Sequence, residues 1–323
     1  MSLFPKNAAE YLVQQGIPVG PQSKVFVVDA QTGHGSDSNP GTSFKAPLAT
    51  LAKAISLCTA NHYDAILLVG GPTANAVSTT AVTLPAYTSL VGMGPANSIG
   101  QRCRVTGTAT ASTGDLANLI TFGAGAIVKN IKFSNGSDYA AVTTAATVSG
   151  SYCTFENCQF ELGHTTALST SGSNVMALSG SENTYVNCTF GNDTVLWGAA
   201  NTGANLVMTG GAARNNFIHC RFLSYCETAG KYQVSYADAG SGNERYNEFE
   251  SCLFTNFSVN YAATLANAFD VPAVAGSSTY AIILRGSDNQ LVGIDGWADV
   301  PTKVWSPGLK GTSTYGVATA VNT

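Results

Sequence analysis

Apolar and polar residues alternate in short runs through the middle of this chain, and the runs come in pairs. Cys153-Thr154-Phe155 places two apolar side chains on one face of an extended segment, and Cys158-Gln159-Phe160 does so again. Phe155 and Cys158 lie an odd number of positions apart, which a single strand cannot accommodate without turning its apolar face outward. The pattern therefore predicts two strands joined by a tight bend. The pair recurs at 183–190, 215–222 and 247–254, each time ending in Cys-x-Phe, and Cys158, Cys188, Cys220 and Cys252 follow at intervals of 30, 32 and 32 residues. A near-constant period of this size marks a solenoid. Degenerate copies at 128–133 and 289–294, with Ile131 and Ile294 at the cysteine position, bring the expected number to six.

Stacking the copies makes columns of like residues. One is aromatic or aliphatic (Val128, Phe155, Tyr185, Phe217, Phe249, Leu291), one small and apolar (the four cysteines with Ile131 and Ile294), and one aromatic again (Phe133, Phe160, Phe190, Phe222, Phe254). The residue before each cysteine position is Asn130, Asn157, Asn187, His219, Ser251 or Gly293. Asn, His and Gly tolerate the left-handed backbone that a one-residue bend requires. Asn183, Asn215, Asn247 and Asn289 precede the last four members of the small column by five positions, as a ladder of stacked amides would. An antiparallel sandwich would show frequent short-hairpin signals. Asn-Gly occurs once, at Asn135-Gly136. The fold class expected is all-β, a right-handed parallel β-helix.

Composition narrows the function. Charged residues make up 11% of the 323 positions, against roughly 25% in soluble domains generally. The formal net charge of −4, with no run of Lys or Arg, predicts no attraction to nucleic acid or acidic lipid. There are eight cysteines, but four share a column with isoleucine and read as small hydrophobes rather than disulfide halves. No signal-peptide core or membrane-length apolar run is present. Together these fit synthesis in a reducing cytosol. The sequons at Asn135, Asn187, Asn192 and Asn256 then read as chance.

In chain order, residues 1–24 form a leading arm whose segment from Pro5 to Gly16 predicts a short helix, serving either attachment or as a lid on the first coil. A strand (Val25 to Asp29), a long turn (Gly33 to Thr42), an amphipathic helix (Pro47 to Thr59) and a strongly apolar strand (Ala65 to Val69) follow. These segments resemble the opening of pectate-lyase-like right-handed β-helix proteins, notably Val27-Val28-Asp29, Gly35-Ser36-Asp37-Ser38-Asn39-Pro40-Gly41-Thr42, the run from Pro47 to Ile55 and that from Asp64 to Gly71. The resemblance covers about fifty residues and implies a cap, in which the helix closes the first coil. Leu84 to Gly94 is similar to the family's first coil, with Gly92 and Gly94 at a bend. The β-helix is expected over 25–296, with an excursion at 255–278. The tail 297–323, with Trp305 and Tyr315, is expected to cap the far end or contact a neighbouring subunit. The superfamily includes polysaccharide lyases and hydrolases as well as bacteriophage tailspikes, fibres and other virion proteins, and the phage members imply a homotrimer.

Candidate chemistry is sparse. His219-Cys220 with Cys226 is the nearest approach to a metal cluster and reads better as a bend residue beside a core residue. Asp37 could reach a cation but more simply bonds its own turn. The acidic candidate for a groove is Glu244, Glu248 and Glu250 with Arg245, and a solvated outer face is the plainer reading. No catalytic, metal or cofactor residue is assigned. Two functions remain. One is a non-enzymatic structural or attachment protein of a bacteriophage particle (capsid decoration, tail or fibre), localised to the virion with other virion proteins as partners. The other is a carbohydrate-binding or polysaccharide-degrading β-helix, for which exposed Tyr232, Tyr236, Tyr261 and Trp197 would be the sign.

Overall fold

The computed structural model describes residues 7–70, 76–78, 80–94, 103–108, 116–138, 141–199, 201–209, 211–228, 230–236, 245–259, 265–271, 282–286, 288–299 and 303–305. Their strands lie in three parallel sheets of ten, eight and eight strands, and each coil of the chain contributes one strand to each sheet in turn. The result is the all-β, right-handed parallel β-helix that the repeat predicts. Val25–Val28 and Val304–Trp305 flank the stack at the two ends of the first sheet.

The two strands of the sequence repeat belong to the first and second sheets, and the inward columns are in register. Phe155 pairs with Val128 and Tyr185, and Phe160 with Phe133 and Phe190. Tyr185 stacks on Phe155 at 4.8 Å and on Phe217 at 4.6 Å, and Phe217 stacks on Phe249 at 4.7 Å. These separations match the distance between neighbouring strands, so each ring meets the next without leaving its coil. Stacked rings contribute about 1 kcal/mol each beyond the area they bury. The bend between the two sheets is a single left-handed residue, with φ of 60° at Asn130, 53° at Asn157, Asn187 and Ser251, and 54° at His219.

The cysteine column is buried and its thiols are free. Each Sγ–H donates to a carbonyl of the preceding coil: Cys158 to Val128, Cys188 to Phe155, Cys220 to Tyr185 and Cys252 to Phe217, at 3.3 to 3.5 Å. Cys103 belongs to this column too. It precedes Arg104, which pairs with Lys132, and its thiol donates to Leu68 in the same manner. The residues after Met93 separate it from the first-sheet strand Ser89–Met93, so the paired-strand pattern does not show it. The asparagine ladder also forms, with its carbonyl oxygens accepting from main-chain amides one coil back: Asn183 from Cys153, Asn215 from Asn183, Asn247 from Asn215.

The last copy is assigned differently from the sequence expectation. Phe249 is opposite Leu284 and Phe254 opposite Leu291, so Leu291 continues the second aromatic column rather than the first. Ile294 opens a strand of the third sheet opposite Leu265, and Gly293 bends the chain between the second and third sheets. Asn289 accepts from the Cys252 amide. The region 255–278 is not one loop, because Leu265–Asp270 within it is a third-sheet rung. Likewise Ile294–Ala298 crosses the expected boundary at 296, and Trp305 pairs with Ile283; Tyr315 lies outside the described residues. Gly92 sits inside Ser89–Met93, where a β-carbon would lie 2.2 Å from the Asn130 carbonyl oxygen.

At the N-terminal end the cap helix is shorter than expected, Leu51–Leu57. Thr50 accepts from the Lys53 amide as N-cap, and Leu51 and Ala54 are buried against Phe26, Val28 and Leu84. Asp37 accepts from the Ala49 and Thr50 amides and the Thr50 hydroxyl, which makes it a turn clamp rather than a cation ligand. The leading helix is Ala8–Gln14. It packs on the outer face of the first sheet, where Ala8, Leu12 and Ile17 cover Val27, Ala65, Leu67 and Val91, and the Lys129 ammonium donates to the Gln15 carbonyl.

Candidate functional site

Beyond the arm, the outer face of the first sheet is open. Side chains two apart on a strand share that face, so each coil offers one outward pair, and the column through Thr184, Asn216 and Glu248 runs beside that through Val186, Ile218 and Glu250. Except for Val186, these residues line a groove of about 340 Å³ together with Arg214, Tyr246 and Arg285. Glu248 and Glu250 of the sequence candidate are therefore brought together on one face. Arg245 is exposed outside the groove lining, and Glu244 lies outside the described residues.

The partners of these carboxylates come from other coils. The Arg285 guanidinium lies 3.1 Å from Glu248 and 3.9 Å from Glu250, and Arg214 pairs with Glu182 across one coil step. The Glu248 side chain keeps 18% of its surface exposed and Glu250 keeps 43%, so Arg285 satisfies the more shielded acid first. The Arg285 guanidinium is thus shared between two carboxylates of the neighbouring coil. The arrangement ties successive coils together and offers hydrogen bonds to a polar ligand.

A second left-handed column borders this groove and has no precedent in the repeat pattern. Tyr63, Tyr87, Gly125, Tyr152, Glu182 and Arg214, with φ between 55° and 65°, each stand two residues before an in-register strand position of the first sheet. Gly125 is needed there for space, since a β-carbon would lie 2.5 Å from the Tyr87 ring. Tyr152 and Tyr246 are exposed on this edge.

The aromatic residues expected on a sugar-binding face are elsewhere. Trp197 and Tyr236 are buried in the core and Tyr232 is half-buried, while Tyr261 lies outside the described residues. His219 faces outward at its bend while Cys220 and Cys226 are buried, so the three do not form a cluster. Among the described residues no group of three or more metal-ligating side chains occurs. No helix among them is long and apolar enough to cross a membrane.

No family model matches the chain, and no curated protein is similar to it. Solved structures do share its fold. A pectin methylesterase variant in complex with a hexasaccharide superposes with a TM-score of 0.54 at 13% identity, over 90% of this chain and 91% of that one. Pectin methylesterase from Erwinia chrysanthemi gives 0.51 at 13% identity, over 89% of each chain. The chain thus shares the parallel β-helix fold of these pectin methylesterases. Identity this low speaks to fold alone.

Proposed function

We propose that the protein is a non-enzymatic structural or attachment component of a bacteriophage particle, a capsid-decoration or tail and fibre protein that assembles as a homotrimer beside other virion proteins. The observation that carries this reading is the bridging of Glu248 and Glu250 by Arg285. The carboxylates best placed to act as acid and base are engaged in holding coils together. Lys129 with Glu156 at 2.7 Å and Arg214 with Glu182 do the same along that sheet. A particle component needs such a stiff, weakly charged scaffold.

The second reading, a carbohydrate-binding or polysaccharide-degrading β-helix, is favoured by Tyr246 on the rim of the groove and by Tyr152 on the same edge. Tyrosine rings can offer an apolar face and a hydroxyl to a sugar. The two readings separate in one assay of the purified protein against a panel of bacterial surface glycans. The structural reading expects no depolymerisation. Cleavage abolished by Glu248→Gln or Glu250→Gln in a folded protein would replace it with the enzyme reading.

A further inference from the structure

Lys132 and Gln159 stand opposite each other on adjacent coils of the second sheet, and two positions on Ser134 stands opposite Glu161. Phe133 and Phe160, which follow the first pair, lie in the core, so these four side chains share the outward face of the sheet. That face is shielded here. Gln159 is 2% exposed and Glu161 8%, and the Lys132 side chain keeps 15% of its surface. Each oxygen of the Glu161 carboxylate holds a different nitrogen. Oε1 lies 2.7 Å from the Lys132 ammonium and accepts from the Ser134 hydroxyl at 2.9 Å, while Oε2 accepts from the Gln159 amide nitrogen Nε2 at 3.1 Å.

A buried ion pair needs only an ammonium and a carboxylate. This one adds a primary amide, and an amine and an amide held by one carboxylate are the reactants of a transamidation. Attack needs the amine rather than the ammonium, and the carboxylate that holds the ammonium is the base that can take its proton. Expulsion of the amide nitrogen needs a proton, and the other oxygen of the same carboxylate already faces it. Strand register holds the two side chains beside each other, and well-oriented groups in one molecule react with effective molarities on the order of 10⁵ M or more. Burial keeps competing water from the amide carbon.

We infer that Lys132 and Gln159 become joined by an isopeptide bond that the folded chain forms itself, with Glu161 as the catalytic acid and base. The Lys132 Nζ forms a bond to Gln159 Cδ, and the bond from Cδ to Nε2 breaks. Of the three ammonium protons, one stays on the new amide nitrogen and two pass through Glu161 to Nε2, which leaves as ammonium. The carboxylate is regenerated, and the step needs neither oxidant nor co-reactant. The partial exposure of Lys132 gives the ammonium a way out. The bond clamps two successive coils, under either reading of the function.

The test is intact-mass spectrometry of the full chain before and after prolonged incubation of the folded protein, followed by tryptic mapping. The expected mass lies below that of the sequence by one ammonia. The expected map holds a branched peptide carrying both Lys132 and Gln159, and trypsin no longer cuts after Lys132. Glu161→Gln should lower the linked fraction at least tenfold, and Lys132→Met and Gln159→Met should abolish the link. Arg285→Gln, on the first sheet, should leave it unchanged. Circular dichroism confirms that each variant is folded, and if the buried changes unfold the chain, the branched peptide of the unaltered protein still decides. A full sequence mass after incubation with cleavage after Lys132 intact would overturn the assignment. So would an ammonia loss that maps to other residues, or a link undiminished in folded Glu161→Gln.

Discussion

Tyr185 carries a hydroxyl into a column otherwise filled by Phe155, Phe217 and Phe249, and that hydroxyl is buried without a partner. Burial pushes its pKa well above the ordinary tyrosine value. Removing the oxygen leaves the ring stack intact, so Tyr185→Phe is expected to raise stability by about 1 kcal/mol in chemical denaturation. A loss would mean that the hydroxyl has a partner. The cysteines make a second prediction at this scale. Burial raises the thiol pKa to about 11 at Cys153 and about 12 at Cys103 and Cys226, and well above its ordinary value at Cys158 and Cys220. Thiolate, the reactive form, is therefore scarce at neutral pH. Because all four side chains are buried, labelling of Cys158, Cys188, Cys220 and Cys252 should need denaturant, and fast labelling of the native protein would contradict the column. Cys220→Asp should cost several kcal/mol as a buried unpaired charge, and Cys220→Ser far less. The buried, hydrogen-bonded side chains of Asn135, Asn192 and Asn256 agree with reading their sequons as chance.

Among the elements, the leading helix and the last coil behave differently from what their sequences suggest in isolation. The helix contributes nothing to the inward columns, yet Leu12 is fully buried on Val27, Leu67 and Val91. Leu12→Ala should cost about 2–4 kcal/mol of arm docking. Deleting the arm should leave the coils folded but uncover that apolar strip, which dye binding would report; unchanged dye binding would contradict the packing. In the last coils, Asp270 accepts from the Ser235 hydroxyl, and Asp299 accepts from the Val271 amide close by. Burial first, and then the neighbouring Asp299, raise the Asp270 pKa above 3.8. The folded state therefore holds this proton more tightly than the unfolded one. Its stabilising effect is present in acid and is lost as pH rises through the raised folded value. Hydrogen exchange in 265–271 should quicken across that interval, and Asp270→Asn should flatten the dependence.

The elements also show what a sequence can reveal. The first and second sheets were legible because their inward positions repeat one chemistry, Phe or Tyr and Cys, coil after coil. The third was not, because Ile120, Ala146, Met176, Leu206 and Val234 fill one of its columns with five different side chains. The last copy was misassigned because leucine replaces both aromatic residues, while Asn289 and Ile294 happen to keep the spacing. Glu248 and Glu250 could be placed on one face from their separation. Arg285 could not be joined to them, since a whole coil intervenes.

At the scale of the whole molecule, the coils among the described residues stack in register, and their ends and faces differ: a helical cap, an arm-covered strip, a charged groove and, one corner away, a smaller polar cavity. Small, weakly charged outer faces favour side-by-side association, so light scattering at micromolar concentration is expected to show a trimer. A monomer would contradict it. The most direct test of the central claim is to ask whether the chain is part of assembled particles. Density-gradient purification of phage, followed by cryo-electron microscopy, should show the chain co-sedimenting at fixed stoichiometry, with solenoid density at a fixed site. If the chain is absent from particles and the free protein depolymerises a surface glycan, the account is wrong.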